Sequence, residues 1–476
     1  MNLFSLEVLA LCLYLVALFG VAIFSYKKTQ NSSDFIIGGR KMHFFVTALA
    51  AHASDMSSWI FLGYPAQVYT FGLKSSWVAI GLILFMYLNW QFIAQKLRQK
   101  TAHYESLTLF SFFESVAKDT TGFTRVLTGL MSLIFYSVYI SAGLMGLGLL
   151  LQNLVTIPYF IAIVFGILIV IPFLLLGGFV TLAWTDLVQG LFLLFVIVLV
   201  PFLSWLHLPS SVSLETLSLD LKQFIPTSTS GLMEALLLMF SWGLGYFGQP
   251  HILTKFMGIN DPKEIPKSMV VGMTWQTITL FAATTIGLVG GLTFSKLANP
   301  ELLFIELSKE TLSPFLLGLV LSAIIGVTIT SMGAQILVVV STLAEDFYKK
   351  MFHKEATNQQ VLIVSRYSTL FVALIAITIA SFQPASLFDL VSYAWFGLGA
   401  SFGPLVIASL MKKHLHRYSA WAGILTGGLV SGSFPALNLF LGTSFPPLIP
   451  GFCLSLIAIF LIDFFIRTQD TKLRSG

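Results

Sequence analysis

The sequence predicts an all-α polytopic membrane protein, and three observations carry that prediction. Hydrophobic residues make up 56% of the 476-residue chain. Charged residues make up 10% of it, against about 25% in soluble globular domains. Apolar runs of about twenty residues recur from end to end, each long enough to cross a hydrocarbon core of about 30 Å as a helix. An outer-membrane barrel is excluded, because its strands alternate apolar and polar residues instead of running apolar for a whole span. No polar block is long enough to fold alone, so residues 1–476 read as a single transmembrane domain.

The first apolar run, Leu3 to Phe24, is followed by Tyr26-Lys27-Lys28 and not by the small residues of a cleavage site, so it reads as a retained span. Further runs between charged or turn-rich breaks bring the expected total to about thirteen transmembrane helices. They are centred near residues 14, 55, 85, 138, 168, 194, 244, 281, 328, 372, 400, 430 and 457. With loops assigned alternately to the two sides, Lys74, Lys222, Lys296 and Lys309 fall on one side. Every other Lys and Arg, Lys255 included, falls in loops on the opposite side. By the positive-inside rule the N-terminus then faces out and the C-terminus faces the cytoplasm of a bacterial inner (plasma) membrane. The net charge of +5 therefore reads as a topology signal. Cys12 and Cys453 lie near opposite ends inside apolar runs and read as packing residues, with no disulfide expected.

Polar and helix-breaking residues inside spans mark the functional region, because each is costly in hydrocarbon. The second span contains ALAAHASDMSSWIF, with Asp55 between Ser54 and Ser57-Ser58. The seventh contains FSWGLGYFGQPHIL, with Gly243, Gly245, Gly248 and Pro250 close together. Both read as helices unwound at their centres. Freed carbonyls there can ligate a cation, and half-helix N-termini can face a carboxylate. Spans two and seven open two consecutive five-span sets, the pattern of an inverted repeat. Residues 43–411 would form the ten-helix core, with residues 1–42 and 412–476 adding peripheral spans and a short tail. A third polar cluster, GVTITSMGAQ, sets Thr328, Thr330 and Ser331 in the ninth span, where adjacent hydroxyls offer hard oxygens suited to a small alkali cation.

The segments SDMSSW, AWTDLVQG, SWGLGYFGQPHI, AEDFYKK and LVSYAWFGLGASFGPL, in this order, resemble the solute:sodium symporter family and, within it, the sodium/proline branch. The resemblance implies a leucine-transporter-like 5+5 fold and sodium-coupled uptake of L-proline by alternating access. It implies sodium ligation by the carbonyls of Ala53, Met56 and Val327 and by the hydroxyls of Thr330 and Ser331. It implies substrate contacts from Ser57, Ser58, Tyr139, Trp242, Tyr246 and Pro250, and a coupling or gating role for Asp55 and Asp186. Three positions depart from the branch: Ser58 stands where Gly is typical, Thr330-Ser331 where Ser-Thr is typical, and His52 where a small residue is typical.

The chain has no GxxxxGK[ST] loop to drive transport by nucleotide hydrolysis. It also has no HExxH motif and no paired mid-span aspartates that would suggest an intramembrane enzyme. The expected partners are a small solute, sodium as the coupling ion and the bilayer, with no nucleic acid. Two alternatives stay open: a symporter for another small carboxylated solute, such as a different amino acid or pantothenate, or a transporter-like sensor.

Overall fold

The computed structural model describes residues 6–26, 32–155, 157–208, 224–412 and 415–475. Lys27, Lys28, Lys222 and Lys413, assigned to loops above, lie outside these residues. The same holds for the side chains of Lys472 and Arg474.

Every long element is a helix, because a lipid-facing backbone must satisfy its own amides and carbonyls. In chain order these are α1 (Leu6–Tyr26), α2 (Phe44–Ala53), α3 (Gly63–Phe71), α4 (Leu73–His103), α5 (Phe123–Val155), α6 (Tyr159–Leu206) and α7 (Thr229–Gly243). They continue with α8 (Pro250–Gly258), α9 (Ile265–Thr293), α10 (Pro314–Ser341), α11 (Asn358–Phe382), α12 (Leu387–Met411), α13 (Arg417–Leu441) and α14 (Leu448–Ser475).

Among the described residues, eleven helices are long and apolar enough to cross a membrane, against the thirteen spans expected. The difference has a physical origin. The second expected span is broken into α2 and α3, and α6 holds the fifth and sixth as two apolar helices, Tyr159–Phe173 and Gly178–Leu206, the first of them short, joined across a kink at Gly178 (φ 56°, ψ −143°). That backbone conformation suits glycine alone, and a Cβ at Gly178 would sit 2.4 Å from the Phe35 ring.

Burial separates a centre from a rim. The apolar windows of α12, α5 and α10 are 89%, 78% and 78% buried, whereas those of α1, α11, α13 and α14 are 22–28% buried. Large apolar side chains such as Phe195, Phe281, Leu374 and Phe440 point outward, as lipid contact requires and water would penalise. Cys12 and Cys453 also point outward and do not pack in the core as expected. Each sits on a rim helix whose outer face is apolar, where a small thiol is tolerated.

The two broken helices run in opposite directions. The chain just before α2 is stitched to the end of α8: Met42 N–H donates to Gly258 O (3.1 Å), and Asn260 N–H donates to Met42 O (2.9 Å). Arg40 and Arg98 reinforce this side by donating to the carbonyls of Met257 and Ile259 at 3.0 and 2.7 Å. At the other end, Lys74 beside α3 pairs with Glu234 in α7 at 3.2 Å. The start of the first broken helix thus lies beside the end of the second, the antiparallel relation of an inverted repeat. The architecture is leucine-transporter-like.

Candidate functional site

The first break begins where α2 ends at Ala53. The amides of Met56, Ser57, Ile60 and Phe61 bond to the carbonyls of His52, Asp55, Ser57 and Ser58. Among the described residues these main-chain bonds pass over the carbonyls of Ala53, Ser54 and Met56 in this buried segment. Such groups are costly without a partner. The Ser57 hydroxyl accepts from Trp59 N–H at 3.3 Å. The Ser58 hydroxyl is buried and makes no hydrogen bond; it lies over Gly146, where a Cβ would come within 2.5 Å of it.

The second break runs through a 3-10 turn at Leu244–Gly248, and α8 restarts at Pro250, whose missing N–H is not needed in a first helical turn. Gly245 and Gly248 are required here for close approach: a Cβ on Gly245 would fall 1.9 Å from the Trp395 indole nitrogen, and one on Gly248 would fall 2.5 Å from the Gly403 amide. The freed backbone groups of this turn are taken up from neighbouring helices. Trp395 Nε1–H donates to Trp242 O (2.9 Å) and Asn89 Nδ2 to Tyr246 O (3.1 Å), while Gln249 Nε2 donates in the other direction, from the break to Trp395 O in α12 (3.0 Å).

The breaks meet at a side-chain hydrogen bond. The Tyr246 hydroxyl donates to Asp55 Oδ2 at 2.6 Å, and Gln276 Nε2 in α9 donates to the Tyr246 oxygen at 3.0 Å. Around the carboxylate is a cavity of about 10 Å³ lined by Asp55, Met56, Trp59, Leu82, Tyr139, Trp242, Val391 and Trp395. That is room for roughly one water molecule. Its roof is aromatic: Trp59 and Trp242 lie 5.0 Å apart, and Phe388 lies 5.0 Å from Trp242.

Of the residues expected to touch substrate, Tyr139 and Trp242 line this cavity and Tyr246 stands against its carboxylate. Ser57 and Ser58 belong to the same break. Pro250 lines a different cavity of about 30 Å³, together with His251, Thr254, Lys255 and Thr108. The expected sodium hydroxyls sit in the buried α10, where Thr330 and Ser331 donate back to Val327 O at 3.2 and 2.9 Å. Donation into their own helix turns the oxygen lone pairs away from it, as ligation requires, but it also occupies the Val327 carbonyl.

Asp186 forms an ion pair with Lys255 at 2.8 Å, and both side chains are buried. The loop placement expected for Lys255 is therefore wrong: Lys255 lies on α8 with its ammonium inside the protein, where a buried acid compensates it.

Sequence reasoning did not single out Trp59, Trp395, Asn89 or Gln276. The first two stood inside the quoted motifs. The latter two carried a signal of their own, an amide side chain in an apolar span.

The sodium:solute symporter family model matches residues 35–427. The high-affinity proline transporter PutP of Bacillus subtilis (strain 168) is 35% identical over 462 residues, covering 94% of this chain and 95% of its own. The sodium/proline symporter of Escherichia coli (strain K12) is 34% identical over 461 residues, covering 94% and 91%. In fold, the chain resembles a substrate-bound, outward-open Na+-coupled sialic acid symporter, with a TM-score of 0.79 and 16% identity over 98% of both chains. This chain is an integral membrane protein, it uses sodium as its coupling ion, and it belongs to the sodium:solute symporter family.

Proposed function

We propose that the protein imports L-proline together with sodium across the bacterial inner membrane by alternating access, and that it carries out no chemistry on its cargo. The observation that supports this best is the Tyr246–Asp55 hydrogen bond joining the two helix breaks under an aromatic roof. The relatives named as proline transporters, similar over nearly the whole chain, support the choice of solute.

In this reading sodium sits between the passed-over carbonyls of Ala53 and Met56, the Val327 carbonyl and the hydroxyls of Thr330 and Ser331. A d-block metal would favour nitrogen or sulfur, whereas five neutral oxygens suit a hard monovalent ion. Asp55 supplies negative charge beside that position and receives the substrate's secondary ammonium. Trp59, Trp242 and Tyr139 pack against the ring of proline. Ser57 and Ser58, at the start of the 3-10 turn, present hydroxyl and amide donors to its carboxylate, and Pro250 fixes the direction of the second half-helix. Asp186, held by Lys255, ties α6 to α8 and couples the sodium hydroxyls to movement of the second broken helix. The ten-helix core spans residues 43–411, with the N-terminus outside and the C-terminus in the cytoplasm.

Zwitterionic proline moving with one sodium carries one net charge inward. A potential of ~100 mV contributes ~2.3 kcal/mol, and a tenfold sodium gradient contributes ~1.4 kcal/mol, together sufficient for accumulation of several hundred-fold. Purified protein in liposomes, given an inward sodium gradient and labelled proline, tests solute, ion and electrogenicity together. Uptake that ignores collapse of both gradient and potential sinks the proposal. Uptake of another amino acid or pantothenate, uninhibited by proline, replaces the solute.

A further inference from the structure

We propose that the cavity lined by Pro250 is a second solute station, on the cytoplasmic side of Asp55, where His251 Nε2–H and the Ser341 hydroxyl receive the carboxylate of the outgoing amino acid; this rests on reading Asp55 and the aromatic residues around it as the first solute site. The cavity has a volume of about 30 Å³, room for roughly two water molecules. Its walls are mainly apolar, with Ile36, Phe110, Phe179 and Leu337 among them. It lies where α8 runs on from the break, beside Thr108, the cap of the short helix Leu109–Ala117. Arg40 ties this side together by donating to the carbonyls of Met257 and Ser106 at 3.0 and 2.8 Å, and the topology proposed above puts it towards the cytoplasm. One ring contact links the two cavities. Tyr139 lines the cavity at Asp55, His251 lines this one, and their rings meet edge to face with centroids 6.0 Å apart.

Two residues lining this cavity hold buried polar atoms with no hydrogen-bond partner among the described residues, His251 Nε2 and Ser341 Oγ. The tautomer of His251 follows from Tyr136 in α5, whose two hydrogen bonds among the described residues are both with His251. The Tyr136 oxygen accepts from the His251 main-chain N–H at 3.1 Å, and its own proton has Nδ1 as acceptor at 3.0 Å. With Nδ1 accepting, a neutral imidazole carries its proton on Nε2. The atom without a partner is therefore a donor. Ser341, at the end of α10, makes no bond back into its helix, unlike Thr330 and Ser331, and its hydroxyl is a second donor. Buried donors left unpaired are costly, and a carboxylate satisfies both through charge-assisted hydrogen bonds. Lys255 lines the same cavity, but its ammonium is paired with Asp186. The donors on offer are thus neutral, which suits a station that must release its occupant, since an unpaired cation would add Coulomb attraction. A few polar groups in an apolar wall are the usual make-up of a small-molecule site, and alternating access widens a passage of this kind as the broken helix moves.

The experiment reads each face of the membrane separately. Vesicles carrying the full chain are prepared right side out and inside out, and entry of labelled proline, with sodium supplied on the same side, gives the proline KM at each face. His251→Asn deletes Nε2–H, while its amide oxygen takes the place of Nδ1 in accepting from Tyr136; Ser341→Ala deletes the hydroxyl. Each is expected to raise the KM at the cytoplasmic face about tenfold, the loss of one hydrogen bond to a charged group, and to change the outer KM by less than about twofold. A merely structural role moves both faces together. Equal shifts at the two faces, or no cytoplasmic shift in either variant, overturn the station and leave the reading of Asp55 intact. A parent protein that takes up no proline from the outer face overturns that reading, and the station with it. If His251→Asn does not reach the membrane, Ser341→Ala carries the test alone, because its hydroxyl holds no other described group in place.

Discussion

Lys255 and Asp186 form an ion pair at 2.8 Å with the ammonium 2% exposed and the carboxylate fully buried. The pair joins α8, the second half of a broken helix, to α6. Pairing two charges away from water stabilises little compared with an apolar pair, but removing one partner strands the other. Lys255→Met is therefore expected to lower stability by about 3–5 kcal/mol, and Lys255→Met with Asp186→Leu to recover much of that loss. Thermal unfolding in detergent measures both. A single variant as stable as the parent means that the charges are not paired in the membrane.

Asp55→Asn keeps the size of the side chain and its contact with Tyr246 while removing the charge. Sodium half-saturation is expected to rise by about tenfold or more, the worth of a charged hydrogen bond, while insertion stays normal. Sodium titration of proline uptake checks it, and an unchanged titration makes Asp55 a structural polar residue only.

Thr330→Val with Ser331→Ala removes two hard oxygens from one buried turn of α10. The sodium requirement is expected to rise more than either single change produces, with the proline KM at saturating sodium moving less. A packing role gives the opposite pattern, lower protein yield with an unaltered sodium response.

Asp119 lies in the loop before α5. Its burial opposes ionisation, but hydrogen bonds from the hydroxyls and amides of Thr121 and Thr124 outweigh that and hold its carboxyl down at about 2. A lowered native value means that the stabilisation is complete above the unfolded value of about 3.9 and is lost as pH falls towards 2. Asp119→Ala is expected to cost about 1 kcal/mol at neutral pH and to flatten the melting temperature's dependence on pH across that window. Parallel melting curves for parent and variant through the window contradict this.

Much of the architecture was legible in the sequence, because lipid imposes simple rules on it. Span-length apolar runs follow from hydrocarbon thickness, and the two breaks were read from clusters of Gly, Pro and Ser, although α12 carries a similar cluster, Gly397 to Pro404, without breaking. Asp55 was found for the same reason, as a polar group where polarity is costly, whereas Tyr246 came only from the family resemblance. What the sequence left open depended on partners far along the chain. Lys255 looked like a loop cation until Asp186, 69 residues away in α6, was placed against it. The kink between the fifth and sixth expected spans falls at Gly178, packed against Phe35, a contact far along the chain that the sequence did not reveal. His251, Tyr136 and Ser341 lie on three helices, and none predicts the others from spacing. A hydrogen bond's direction depends on which donor faces which acceptor, and only the packed helices decide that.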